Sequence, residues 1–126
     1  MSVQTIQPVA SFVAGPYSPG VIAEGKFLFI SGQGPYCSQS HRFIRGTVAE
    51  QTRLTLKNLQ AVLSEAGLTA SQVVTCKVYL QQLTESSFQQ MNEAYADFFG
   101  SHKPARTTVG CQLLNIDVEV DAIAAL

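Results

Sequence analysis

Arg106 follows the helix-breaking pair Pro104-Ala105 and opens a stretch that reads as a strand. A lone arginine is most often a surface charge. At a strand mouth, however, its planar fork is the best available group in this chain for holding a small carboxylate through two parallel hydrogen bonds. Asp117, Glu119 and Asp121 stand at i, i+2 and i+4. That spacing puts them on one strand face, with Val118, Val120 and Ala122 on the other. The pattern by itself favours a solvated face; the sharper reading is a cleft in which Glu119 takes a proton from water. An antiparallel pairing of these last two strands would bring Arg106 and Glu119 into one cleft.

The other reactive residue types offer less. His41 and His102 fall in loops, in no recognisable pairing with a serine or cysteine, and read as surface residues. Cys37, Cys76 and Cys111 are odd in number and form no CxxC. Free thiols packed in a core or interface fit better than a disulfide framework or a zinc site. Gly32-Gln33-Gly34 resembles part of a GxGxxG run, but residue 37 is Cys and no helix follows at once. No HExxH, calcium-loop or DxD motif is present, so no metal is expected.

The elements that must position these residues are legible from periodicity. Ser2 to Ile6 reads as a short strand, and a loop punctuated by Pro8, Gly15, Pro16, Pro19 and Gly20 follows. Val21 to Ala23, a Glu24-Gly25 turn and Lys26 to Ser31 read as a hairpin whose second arm is apolar on both faces. A polar loop from Gly32 to about Gly46 leads into a helix from about Val48 to Ala66. Its inner stripe is Thr52, Thr55, Leu56, Leu59, Leu63 and Ala66, and Gly67 stops it. Val73 to Leu80 alternates as a strand. Thr84 can cap a second helix striped by Phe88, Met91, Tyr95, Phe98 and Phe99, which Gly100 and Pro104 end. Asn92, beside that stripe, is expected to hydrogen-bond nearby backbone. Strands from about Arg106 to Leu113 and Asp117 to Ala124 close the chain.

The order is βββ, then αβαβ, then β: an α+β domain with a single sheet of about six strands and two helices on one face. The uncovered face is still apolar, as Phe27 and Phe29 opposite Leu28 and Ile30 show, so something must bury it. The economical cover is further copies of the same chain in a closed ring.

Composition sets the limits. The 126 residues make one domain spanning 1–126, with 46% hydrophobic and 13% charged residues. That balance is the reverse of a disordered chain's. The net charge of −1 shows no basic excess, which argues against a general nucleic-acid binder. No apolar run reaches the length of a membrane span, and the N-terminus lacks the basic start and apolar stretch of a signal peptide. A cytoplasmic location is the default expectation.

Several short motifs occur in one order. They are Gly15-Pro16-Tyr17-Ser18, Ile30-Ser31-Gly32-Gln33, Gln51-Thr52 leading to Asn58-Leu59 and Ala66-Gly67, Val78-Tyr79-Leu80, Asn92 to Tyr95 with Phe98-Phe99, Pro104 to Thr108, and Val118 to Ala124. Across nearly the whole chain this closely resembles the RidA (YjgF) family of reactive-intermediate deaminases, also called L-PSP-type endoribonucleases. The resemblance implies a chorismate-mutase-like fold and a homotrimer with clefts between subunits. It implies hydrolysis of 2-enamino and 2-imino acids, such as 2-iminobutanoate or 2-iminopropanoate, to 2-oxo acids and ammonia without a cofactor. Such intermediates are released by pyridoxal-phosphate dehydratases.

Residue by residue, the resemblance makes Arg106 the carboxylate-binding arginine, Glu119 the glutamate that positions the attacking water, and Tyr17 the cleft tyrosine. Ser31 and Gly32 become the strand-end pair lining the pocket. Thr108 stands where many members have Cys, at a position whose backbone N–H assists carboxylate binding. The chain departs from the family in the shortened loop Leu113-Leu114-Asn115-Ile116, in Pro19, where Gln is common, and in the irregular segment Tyr36 to His41. A ribonuclease or translation inhibitor, and a non-catalytic binder of small carboxylates, are the competing functions.

Overall fold

The protein is described here from a computed structural model covering residues 3–126, so Ser2 of the expected first strand lies outside the described residues. Local chemistry sets the two helices. Helix α1 (Val48–Glu65) starts at Thr47, whose hydroxyl accepts from the Glu50 N–H at 3.1 Å while Glu50 Oε1 accepts from the Thr47 N–H at 2.8 Å. Gly67, at φ +74°, ends it as expected. Helix α2 (Glu85–Phe99) is capped by Thr84, as its sequence predicts, and stopped by Gly100 at φ +63°.

The main sheet runs β3 (Phe27–Gln33), β8 (Val118–Ala125), β6 (Val73–Leu80), β7 (Ala105–Gly110). Strand β8 is antiparallel to both β3 and β6, while β6 and β7 are parallel. Strands β3 and β6 therefore run the same way, and α1 and α2 are the crossovers of two successive βαβ steps across the sheet in one direction. The fixed hand of such crossovers places both helices on the same face. Between helices and sheet lies the core: Leu56, Leu59 and Leu63 of α1, Met91, Tyr95 and Phe99 of α2, and Val78, Leu80, Val118 and Val120 of the sheet. Within the expected stripes, Ala66 is exposed at the C-cap and Phe98 is only half-buried, because each lies at the edge of its helix's contact with the sheet.

Three expectations about strands change. The expected hairpin between residues 21–23 and 26–31 does not form. Strand β2 (Gly20–Ala23) pairs instead with β1 (Val3–Ile6), from Val3↔Ala23 to Ile6↔Gly20. A tight two-residue turn of type I′ needs left-handed backbone at both central residues, and of Glu24 and Gly25 only Gly25 adopts it, at φ +106°. The α+β class stands, with two helices on one face. The main sheet holds four strands rather than about six, since β1 and β2 form a ribbon of their own. Within the expected loop 32–46, β4 (Tyr36–Cys37) and β5 (Arg42–Phe43) make a second ribbon. Asn58 of α1 pins it through Nδ2 donating to the Gly34 and Tyr36 carbonyls.

The last strands also differ. Strand β7 ends at Gly110, short of Leu113, and β7 and β8 are not neighbours because β6 lies between them. The sheet face away from the helices is apolar and open: Phe29 is 71% exposed, and Phe27 and Val109 are exposed with it. Phe29 sits level with Ile123 of β8 and Thr75 of β6. Among the described residues, no helix is long and apolar enough to cross a membrane.

Candidate functional site

Arg106 lies one residue into β7, level with Cys76 of β6. Cys76 is fully buried in the core, so Arg106 faces the helices, and Thr108, two residues on, shares that side. The guanidinium carbon stands 5.2 Å from the ring centre of Tyr17, 5.7 Å from that of Phe88 and 4.9 Å from that of Tyr95. Nη1 meets the Met91 sulfur at 3.6 Å. Burial lowers the pKa of Arg106 from its ordinary value, offset by Tyr95, Tyr17 and Cys76, and no carboxylate is among the groups acting on it. The result is a desolvated, permanently charged fork, stacked among three rings and without an acidic partner among the described residues. Beside it is a hollow of about 220 Å³ lined by Tyr17, Phe88, Arg106 and Thr108.

Tyr17 reaches this place because its loop is tied down on both sides. The Ser18 hydroxyl donates to the Lys103 carbonyl, and the Ser18 N–H donates to the Pro104 carbonyl at 3.0 Å. Tyr17 itself accepts from the Ala14 N–H at 3.1 Å. Gly15 completes the contact. A Cβ there would stand 3.0 Å from Arg106 Nη2 and 3.3 Å from Asn92 Oδ1, so the backbone approaches both groups closely. Asn92 departs from its expected backbone bond, for its Oδ1 is buried without a hydrogen-bond partner. Thr108 Oγ1 is buried and unpartnered as well.

Glu119 is elsewhere. It is level with Tyr79 of β6, three residues along from Cys76, and therefore on the open face. Its carboxylate lies over Gly32, where any Cβ would fall 2.8 Å from Glu119 Cδ. Ser31 and Gly32 sit where β3 slips register against β8, between Ile30↔Ala122 and Gln33↔Val120. This bulge turns the strand end toward Glu119. Asp121 shares the open face and accepts from the Tyr79 hydroxyl at 2.9 Å, which raises the Tyr79 pKa. Asp117 does not share it. Lying just before β8, it accepts from Gln51 Nε2 at 2.8 Å and gives its N–H to Gln51 Oε1 at 2.9 Å, so it fastens α1.

The structure thus gathers Tyr17, Arg106 and Thr108 at one place and Ser31, Gly32 and Glu119 at another. The expected pairing of Arg106 with Glu119 does not occur within the chain, because β6 separates their strands and they point to opposite sides. Sequence reasoning missed Phe88 and Tyr95 as the walls around the guanidinium. Their i, i+7 spacing marked them as core, and nothing local says that a charge joins them. His41 shares a bond with Tyr36 at 2.9 Å. His102, unlike a surface residue, is half-buried and bonds the Val73 carbonyl at 2.7 Å. Cys76 is sealed in the core, its thiol pushed up to about 12 by burial.

Comparison with known proteins places this geometry. The Endoribonuclease L-PSP family profile matches residues 8–126. The chain belongs to that family. A RutC family protein of Pyrococcus horikoshii is 42% identical over 112 residues, covering 87% of this chain and 86% of the relative. Escherichia coli TdcF, named as a candidate reactive intermediate deaminase, is 37% identical over 115 residues, covering 87% and 86%. A crystal structure of TdcF with bound serine superposes with a TM-score of 0.73 at 29% identity, over 97% of this chain and 93% of that one. YyfB of Yersinia pestis, of the conserved Rid protein family, superposes at TM-score 0.90 and 25% identity over the full length of both. The L-PSP and Rid membership suggested by the motif order is therefore established.

Proposed function

We propose that this L-PSP family member hydrolyses small 2-imino and 2-enamino acids to 2-oxo acids and ammonia, in clefts between copies of the chain. The observation that carries the reading is the Arg106 guanidinium, desolvated, ring-stacked and without a carboxylate of its own. Such a group is a receptor for a small anion, and a 2-imino acid carries a carboxylate next to its electrophilic carbon. Holding the carboxylate fixes that carbon in place and makes hydrolysis a positioned reaction. Water oxygen then adds to the C=N carbon and the nitrogen takes up protons. The C–N bond breaks, and one water is consumed for each ammonia released. An enamine first moves a proton to carbon and enters as the imine.

Glu119 is the proposed base. Since it faces away from Arg106 in its own chain, the proposal assigns it to the site of a neighbouring copy, whose Arg106 anchors the substrate. The open apolar face around Phe29 supports such an assembly, in which Ser31 and Gly32 line the same cleft and Tyr17 donates toward the substrate. Free imines already hydrolyse in water, so this modest machinery is enough. The named relative TdcF supports the deaminase reading.

One observation favours binding without catalysis: Glu119 does not meet Arg106 within a chain. Both readings face the same experiment. Ammonia release from freshly generated 2-iminobutanoate should be accelerated by the wild-type protein and not by Arg106→Ala. Binding of 2-oxobutanoate with no acceleration would leave the protein a carboxylate binder.

A further inference from the structure

A second hollow, of about 430 Å³ against about 220 Å³ beside Arg106, shares no lining residue with the first. Arg45 and Gly46 come to it from the segment before α1, Gln51 from α1, Gln81 from just past β6, and Asn115 and Asp117 from the loop that leads into β8. Gln51 is buried in the helix layer, whereas Glu119 faces the open side of the sheet. The frame of this hollow is tied. Gln51 Nε2 donates to the Gly46 carbonyl at 3.1 Å and to Asp117 Oδ2 at 2.8 Å, and Gln51 Oε1 accepts from the Asp117 N–H at 2.9 Å. Gln81 holds the loop at both ends. Its N–H donates to the Asp117 carbonyl at 3.0 Å, and its Oε1 accepts from the Leu113 N–H.

What these bonds leave over defines a ligand. Among the described residues, Arg45 and Asp117 make no ion pair, with each other or with any other group. Asp117 keeps Oδ1, Gln81 keeps Nε2 and Asn115 keeps its whole amide without a hydrogen bond in the chain. One positive and one negative group therefore border the same hollow, too far apart to neutralise each other. A simple anion would meet Asp117 there, and a simple cation would meet Arg45. A divalent metal asks for more oxygens than remain. We propose that this hollow binds a free α-amino acid. Arg45 takes the carboxylate in its two-pronged fork, and Asp117 Oδ1 accepts from the ammonium. Gln81 Nε2 and the Asn115 amide, beside the apolar Leu113 and Ile116, suit a side chain with a short stem and a polar end. The bonds of Gln51 and Gln81 fix the frame before the ligand arrives, so little ordering opposes binding. The site uses none of the residues assigned to the proposed reaction and stands independently of it.

The test is calorimetric titration of the full-length protein with L-glutamine, in the wild type and in Arg106→Ala. Both should bind with a Kd of about 1 mM or tighter. N-acetyl-L-glutamine lacks the ammonium and L-glutaminamide lacks the carboxylate. Each should bind about tenfold more weakly or worse, since each leaves one charge of the hollow unmet. Arg45→Gln, an exposed substitution that should keep the fold, should weaken L-glutamine by the same factor and leave L-glutaminamide unchanged. Asp117→Asn should do the reverse, weakening L-glutamine and leaving the N-acetyl compound unchanged. If its thermal melt shows that this variant does not fold, the Arg45→Gln comparison decides. Absence of L-glutamine binding in the wild type would overturn the proposal, as would equal affinity for all three compounds. Binding that vanishes in Arg106→Ala would place the amino acid in the first hollow and overturn it too. L-glutamine binding retained in Arg106→Ala, with ammonia release from 2-iminobutanoate lost, would separate the two sites.

Discussion

Arg106 and Glu119 lie on opposite faces of the same sheet, with β6 between their strands. The register shows it: Arg106 is level with Cys76 and Glu119 with Tyr79, and residues three apart on a strand point to opposite sides. One chain cannot bring both groups to a ligand of a few atoms, which is why the proposed site draws them from two copies.

This arrangement predicts complementation between inactive variants. Arg106→Ala and Glu119→Gln should each lack deaminase activity alone. Unfolded, mixed in equal amounts and refolded together, they should regain about a quarter of wild-type activity, because random assembly in a closed ring joins an intact arginine to an intact glutamate at that frequency. A mixture no more active than its components would place both groups of a working site in one chain.

The two roles should also separate kinetically. Glu119→Gln is nearly isosteric but cannot take a proton, so kcat should fall while 2-oxobutanoate affinity holds, as for an interaction used in the transition state. Gly32→Ala should behave alike, since the new methyl displaces the Glu119 carboxylate. Arg106→Lys should lose binding and turnover together, because an ammonium lacks the two-pronged geometry. Full activity in Glu119→Gln would end the general-base assignment.

Assembly should depend on the open face. Light scattering of the wild-type protein should give about three times the 13.6 kDa chain mass. Phe29→Lys puts a charge on a ring that is 71% exposed in the single chain, so it should spare the fold and lower the particle mass toward one chain. Deaminase activity should fall with it. A wild-type protein that stays monomeric at micromolar concentration would remove the proposed cleft.

Cys76 predicts a loss of stability in alkali. Folding raises its thiol from 9.0 to about 12, so its contribution is complete below the unfolded value and is lost as pH climbs toward the folded one. Denaturant unfolding compared at about pH 8 and about pH 11 should show the decline, and Cys76→Ala should reduce its slope. Part of the slope should remain, because burial also raises the Tyr95 hydroxyl, in the same direction. Thiol labelling at neutral pH should modify Cys37, whose thiol is lowered by the hydrogen bond from Ser40, and leave Cys76 intact until unfolding. Early labelling of Cys76 would show that this part of the core opens.

Much of this was legible in the chain because it is local. The caps at Thr47 and Thr84 act within three residues, and the stops at Gly67 and Gly100 follow from left-handed backbone that glycine adopts freely. The stripe through Met91, Tyr95 and Phe99 follows from the helical period. The open apolar face was visible as Phe27 and Phe29 opposite Leu28 and Ile30. The motif order from Gly15 to Ala124 was enough to identify the family.

Strand partners were not legible, because pairing is settled by residues far apart in the chain. Strand β2 was expected to pair with β3 and pairs with β1. Strands β7 and β8 were expected side by side and have β6 between them. The same holds for environments. Arg106 could be named as a fork for a carboxylate from its type and place, but its stack of Tyr17, Phe88 and Tyr95 joins three separate segments. That the Asn92 and Thr108 side-chain oxygens are buried without partners could not be read in the sequence, since an unmet hydrogen bond is defined only by what surrounds the atom. By itself the sequence determined which residue types could do chemistry and most of the helices and strands they sit on, through propensity, period and capping. Only the tertiary structure decided which way each residue faces, because the sheet's strand order sets that, and it turned Arg106 and Glu119 away from each other.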